Sequence, residues 1–498
     1  MPAFRRIAPW GWMIFALLLL TVATHTWYSV VWMDEVMWTD PAANLLHGFG
    51  FTSTAWPSQR ADEFWAGNAP LHSQLLYRWI RAFGFGVLQV RLFGYVLWSA
   101  AVAIICVAAQ RAKWVRTDRG LAVLALLLFI GSGVTFNYRS GRYDPLAVLV
   151  VALGVLSFTV RAPGRRRAAI IASGALFMPA GLILGPVSVV FCAAGLVGLG
   201  WKRLADLLCV GVGLLVGFGG IYLFHAPHGT WQTFLHATSA LTQTYFPPDA
   251  PTHPLLRKAA RFVADLTRER SLFVVVISAA ALARVAWPNL DATQRRLLAG
   301  AALVVVLMPV TLMTLYAFPI YYAWTAYIPA SIAFVVAMET WCARSAGWKP
   351  RAVLALVLSA AFALGLGFRL GTAALAPGLR DYGRVEQFVQ SAVHPGDVVF
   401  ADYQAFYPLQ TLRVRTYYSW YEKLFTPEES RRVNCLVINP TWLPFAQNLF
   451  GGTWRPTGES YRSGRGFDIA WLDRLLPRYF TQQTNLHYDL AIYRRDVE

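Results

Sequence analysis

Acidic side chains are scarce in this sequence, which sets 26 Asp and Glu against 44 Lys and Arg in 498 residues, and charged residues of either sign make up only 14% of it. With 56% hydrophobic residues and a mean hydropathy of +0.44, so thin a polar coat excludes a water-soluble globular chain and implies a polytopic membrane protein. Cysteine is scarce too. Of Cys106, Cys192, Cys209, Cys342 and Cys435, only Cys435 falls in the polar last quarter, so no intramolecular disulfide is expected in any compartment. Internal repeats and low-complexity segments are absent. The formal charge of +18 invites nucleic acid as a partner, but residues 372–498 carry 14 basic and 13 acidic residues, so the excess lies in the apolar part. There it is a signal of membrane topology first, and no nucleic-acid partner is expected.

Apolar runs long enough to span a bilayer as helices occur at 10–32, 87–110, 120–136, 145–160, 168–185, 187–200, 204–224, 271–287, 297–316, 321–341 and 352–370, about eleven in all. Bulky Trp32 and Met33 at the end of the first run argue for an anchor over a cleaved signal peptide, which ends in small residues. The connecting segments 1–9, 111–119, 161–167, 201–203, 284–296 and 344–351 hold 18 Lys and Arg, whereas the much longer 33–86, 137–143 and 225–270 hold 10. That asymmetry places the N-terminus in the cytoplasm and, with eleven spans, the C-terminus outside the inner membrane.

The expected organisation is a helical membrane domain over 1–371, with long outer loops at 33–86 and 225–270, and a small soluble α/β domain over 372–498. In the first loop Leu71, Leu75, Leu76, Trp79, Ile80 and Phe83 share a helical face, which predicts an interfacial helix, and residues 41–47 predict a shorter one before Gly48 and Gly50. In the tail, Val385, Phe388, Val389 and Ala392 have helical spacing up to Pro395-Gly396, and 397–400, 435–438 and 490–493 are strand-like.

Against this apolar background, Asp34 and Glu35 stand directly after the first run, and Asp144 heads the fourth. Carboxylates at the edge of the hydrocarbon layer are expensive unless they face a cavity or a partner, so all three are candidate catalytic residues. On this topology they lie on the same outer side. A carboxylate there can take the proton of an acceptor hydroxyl while a lipid-linked group departs, and Asp34 is preferred for that role. The alternative is a pair of solvated loop acids or a cap for a following helix. Arg139 and Arg142 have the fork geometry that suits a lipid phosphate, the alternative being headgroup anchors or partners of Asp144. His225, His228, His236 and His253 match no helical ligand pair, and Pro227 interrupts the first two, so a divalent metal is possible but not required. Tyr321, Tyr322 and Tyr327 fit either a sugar site or an aromatic belt.

Order and spacing together resemble the GT-C membrane glycosyltransferases. The type is that of glycosyltransferase family 39, which includes the protein O-mannosyltransferases and the lipid A aminoarabinose transferases. The residues that carry the resemblance are Asp34-Glu35, the stretch from Ala69-Pro70-Leu71 through Phe83-Gly84 to Arg91-Leu92, Arg142-Tyr143-Asp144-Pro145, and Tyr321-Tyr322 through Tyr327-Ile328-Pro329-Ala330. The resemblance covers about residues 1–370. It implies Asp34 as catalytic base and Asp144 as the acid that orients the acceptor or supports the site; Tyr143, Tyr321 and Tyr322 are candidates for substrate contact. Where the aminoarabinose transferases have Glu-Lys-Pro-Pro-Leu, this chain has Gly67-Asn68-Ala69-Pro70-Leu71. The nearest replacements are Glu63 for the acid, a metal candidate alongside His225 and His228, and His72 for a polar contact to substrate. Gly185-Pro186 lacks the lysine often found before it in the family, which shifts phosphate binding onto Arg139 and Arg142.

The function these features imply is transfer of a sugar from a polyprenyl-phosphate donor to a hydroxyl of a glycan, lipid or protein at the outer face, with inversion and no required cofactor. A lipid-linked oligosaccharide polymerase or ligase is the nearest rival, and it would show a larger basic outer groove. A transporter or flippase would place charges or broken helices near the bilayer midplane, and a non-catalytic scaffold would leave Asp34 without consequence.

Overall fold

The computed structural model describes residues 8–27, 30–57, 59–243, 269–314, 320–345, 347–375, 380–458, 460–462 and 488–496. Each apolar run forms a helix. The helices up to residue 375 are α1 (Pro9–Ala23), α2 (Met33–Leu46), α3 (Pro70–Phe83), α4 (Val87–Arg111), α5 (Asp118–Ile130), α6 (Ser132–Arg139), α7 (Asp144–Ser157), α8 (Pro163–Gly181), α9 (Gly185–Leu199), α10 (Leu204–His225), α11 (Trp231–Gln243), α12 (Arg270–Ala286), α13 (Ala292–Thr314), α14 (Trp324–Cys342), α15 (Lys349–Leu364) and α16 (Leu366–Leu375). Five helical stretches among the described residues are long and apolar enough to cross a membrane, and six if α5 and α6, bent by 68° at Gly131, form one span. A Cβ at residue 131 would sit 2.3 Å from the Tyr327 ring, so any larger residue there would have to displace that ring.

Two boundaries differ from expectation. The first helix ends at Ala23, not near residue 32, because Thr21 and Thr24 hydroxyls turn back to the carbonyls of Leu17 and Leu20 and the chain leaves helical geometry at Thr24. The acids therefore open α2 instead of flanking α1, and α2 absorbs the short helix expected at 41–47, with Pro41 inside it. The amphipathic α3 forms as expected, burying Leu76 and Ile80 while Arg78 and Arg81 remain exposed.

The basic segments 111–119, 161–167, 201–203 and 284–296 meet at one end of the bundle. Arg116 pairs with Asp291, and the Glu339 carboxylate accepts the backbone N–H groups of Arg116 and Thr117 at 2.9 and 3.0 Å. Asp206 gathers Arg166, Arg167 and Arg203. These contacts put the N-terminal ends of α8 and α10 together, and the two helices run parallel with backbones nearly touching. A Cβ on Gly213 would lie 2.4 Å from the Ile171 carbonyl, and one on Gly217 would lie 2.5 Å from that of Ala175. α9 therefore runs back in the opposite direction, packed against α13, after Gly181 leaves helical geometry at φ −168°, ψ 54°.

The acids lie at the opposite end, under α2, α3 and the C-terminal part. There, α17 (Tyr382–Ala392) and α18 (Phe406–Leu412) accompany a mixed sheet of β1 (Val398–Ala401), β2 (Arg415–Tyr418), β3 (Cys435–Ile438), β4 (Trp454–Pro456), β5 (Tyr461–Arg462) and β6 (Asp489–Arg495). The order is β2-β1-β3-β6-β4, parallel between β1 and its two neighbours and antiparallel across β6, with β5 also pairing β6. One continuous apolar core runs from the helices into α17, α18, β1, β3 and β6, so this part is packed onto the bundle. Cysteines are unbridged.

Candidate active site

The acid-bearing end of the bundle is organised by a single arginine. Arg142 donates through Nε to Asp144 at 2.7 Å and through Nη1 to Asp34, tying the first turn of α2 to the first residue of α7. Its guanidinium lies 3.8 Å from the Tyr321 ring centre and within 6 Å of those of Trp32, Trp38, Tyr143 and Tyr322. Nη2 has no hydrogen-bond partner among the described residues. The other Asp144 oxygen accepts from Trp324 Nε1 at 3.0 Å, and the Tyr143 and Tyr322 hydroxyls meet at 2.9 Å. The tight turn that delivers Arg142 depends on Gly141, whose φ is 68° and whose Cβ would lie 2.6 Å from Glu35 Cγ.

The adjacent acids have different fates. Glu35 is fully buried and receives Arg91 Nε and Nη2 at 2.9 and 2.8 Å, together with the Tyr407 hydroxyl at 2.9 Å. Asp34 keeps a side-chain exposure of 10%, against 0% for Asp144 and 1% for Arg142. It is the carboxylate an incoming molecule can reach. Fully desolvated pairs such as Glu35–Arg91 hold their geometry because separating them strands a charge, at a cost of about 3–5 kcal/mol.

The remaining predicted residues are placed as follows. Arg139, expected beside Arg142, instead donates to the carbonyl and hydroxyl of Thr24 at 2.5 and 3.0 Å, where a cation complements the C-terminus of α1. Tyr321 and Tyr322 join the cage around Arg142, and the Asn137 amide fixes the Tyr321 carbonyl at 2.6 Å. His72 is buried against Phe93 of α4, and burial pushes its pKa down to about 3, which leaves it neutral. Glu63 accepts from the Arg60 backbone in its own turn. His225 bonds Thr230 and His228 stacks on Phe64 at 3.7 Å, while His253 lies outside the described residues. No group of three or more His, Cys, Asp or Glu comes together among the described residues. Trp324, Tyr407 and Asp40 escaped sequence reasoning, and Arg91 was read only as part of the family resemblance, not as a site residue. Arg91 carried a signal, a charge at the head of an apolar run.

An apolar cavity of about 710 Å³ opens among α7, α8, α9, α10, α13 and α14. Val151, Ile170, Phe177, Phe191, Leu214 and Ile328 line it, with Trp324 in its wall, and Arg111, Arg161, Arg166 and Arg203 also border it. Trp324 thus touches both the cavity and Asp144.

Neither a protein-family model nor a curated protein matches the sequence. Solved structures do. ArnT from Cupriavidus metallidurans bound to undecaprenyl phosphate superposes with a TM-score of 0.64 at 14% identity, over 98% of each chain. Its apo state gives 0.58 at 15% identity over 96% of this chain and 97% of that one. The mycobacterial arabinofuranosyltransferase AftD gives 0.52 at 13% identity, over 98% of this chain and 40% of AftD. The chain has the GT-C fold, with several apolar helices and a small C-terminal mixed sheet.

Proposed function

We propose that this protein is an inner-membrane glycosyltransferase that moves a sugar from a polyprenyl-phosphate donor to an acceptor hydroxyl of an envelope glycan, lipid or protein. The observation that carries the reading is the Asp34–Arg142–Asp144 bridge, in which Asp34 alone keeps a path to solvent. The undecaprenyl phosphate bound to the structurally similar ArnT supports a lipid of this class as donor. Its chain is assigned to the apolar cavity, and its phosphate to Arg142 Nη2, which has no hydrogen-bond partner among the described residues.

In this scheme Asp34 accepts the proton of the acceptor hydroxyl as the oxygen attacks the anomeric carbon. The bond from that carbon to the phosphate oxygen breaks on the opposite face, so configuration inverts. Arg142 meets the charge that develops on the departing phosphate, and Asp144 with Trp324 holds Arg142 in place. Glu35 belongs to the frame, and Tyr143, Tyr321 and Tyr322 form the wall on which the sugar rests. The pairing end is assigned to the outer face and the arginine-rich end to the cytoplasm.

Deleting the gene in its native host tests this by mass spectrometry of lipid-linked sugars and envelope glycans. The expected result is accumulation of one lipid-linked sugar and loss of that sugar from one envelope component. Unchanged profiles of both would remove the proposal.

A further inference from the structure

We infer that the C-terminal part is a working component of the outer site, with Tyr407 as the residue that positions Asp34 through Glu35. The inference rests on the function proposed above. α2 is gripped from that part at three levels. Ahead of the helix, the Val31 N–H donates to the Tyr488 hydroxyl at 3.2 Å. In its first turn Glu35 accepts from Tyr407 at 2.9 Å. Further along, Gln410, one turn beyond Tyr407 on α18, donates to Asp40 at 2.9 Å and to Asn44 at 3.2 Å.

These contacts do what apolar packing cannot. A greasy helix face slides and rotates at little cost, whereas turning α2 away from these donors would strand the buried oxygens of Glu35 and Asp40. Successive residues on a helix point about 100° apart. Fixing the direction of Glu35 therefore fixes that of Asp34, which must meet Arg142. Arg91 supplies two of the three bonds to Glu35 from α4, and Tyr407 supplies the third from outside the bundle. Burial, with Glu35 beside it, holds the Tyr407 hydroxyl well above the usual tyrosine range, so it remains a proton donor. Its ring packs on Phe85 at 5.3 Å and Tyr382 at 5.8 Å, contacts that a phenylalanine keeps.

The test compares the full-length protein and Tyr407→Phe, each returned to membrane vesicles from a host strain lacking the gene, with sugar transfer followed by mass spectrometry. Hydrogen exchange of α2 is measured on the same two proteins in detergent. The expected result is roughly tenfold slower turnover with the dependence on donor concentration unchanged, and exchange over residues 33–40 roughly tenfold faster. Combining Glu35→Gln with Tyr407→Phe is expected to slow turnover no more than Glu35→Gln alone. Wild-type exchange in Tyr407→Phe overturns the inference, whatever the turnover. If that variant fails to fold, Gln410→Leu is read by the same exchange measurement. Full turnover in Asp34→Asn would instead remove the enzymatic reading, and the exchange result would still judge the grip on α2.

Discussion

Arginine meets carboxylate at both ends of the helical bundle, under opposite conditions. At the arginine-rich end, Arg116–Asp291 is open to solvent, and Asp206, itself buried, shares three arginines of which Arg167 and Arg203 remain partly in water. At the other end, Arg142 and Arg91 are almost completely buried with their carboxylates. Exposed pairs contribute about 0–1 kcal/mol, so Arg116–Asp291 adds little to stability. Buried charges must be desolvated, and folding alone gives no return for that cost. Their presence at the second end is the mark of a site that needs fixed charge.

The contrast breaks most readily at Arg142. Arg142→Met leaves two carboxylates face to face in an apolar cage and is expected to cost about 3–5 kcal/mol of stability and to abolish transfer, read from thermal unfolding and product formation. Arg91→Met strands Glu35 at a similar cost in stability. Adding Glu35→Leu is expected to recover most of it, since an apolar pair replaces a buried ionic one; no recovery would show that Glu35 has charge partners beyond Arg91 and Tyr407.

Asp40 sharpens the comparison through pH. Burial is the main cause that raises its pKa to about 6, against hydrogen bonds from Ser53, Thr54 and Gln410 that lower it. The folded state therefore binds more protons than the unfolded one between about pH 4 and pH 6. Stability falls as pH rises through that window, by about 2–3 kcal/mol, and then levels off. Asp40→Asn is expected to flatten this part of the pH–stability curve. At the exposed end, Arg116→Ala is expected to change stability by less than about 1 kcal/mol and to leave transfer unchanged.

Much of the architecture was legible because lipid leaves few choices. A chain that crosses a bilayer must satisfy its backbone within each apolar run, so the runs appear directly as helices. Asp34, Asp144 and Arg142 were legible for the complementary reason, as charges where charge is expensive. The choice between Arg139 and Arg142 was not, because the positive φ of Gly141 sends one toward α2 while the other stays with α1. The first helix was read too long because Thr24 and its hydrogen bonds do not interrupt an apolar count. Tyr407 carried no local signal, since it meets Glu35 across 372 positions of sequence and neither side announces the other. The strands of the tail were readable where hydrophobic runs were continuous, as in β1 and β3, and invisible in β2, where Arg415 and Thr416 break the pattern.

Turnover of Asp34→Asn tests the central claim most directly. The amide keeps an oxygen for Arg142 and nearly the same shape, so the protein is expected to insert and fold as the wild type does, while sugar transfer falls by at least about a hundredfold. Near-wild-type transfer by a folded Asp34→Asn protein would contradict the account, because the one reachable carboxylate of the site would then have no chemical role.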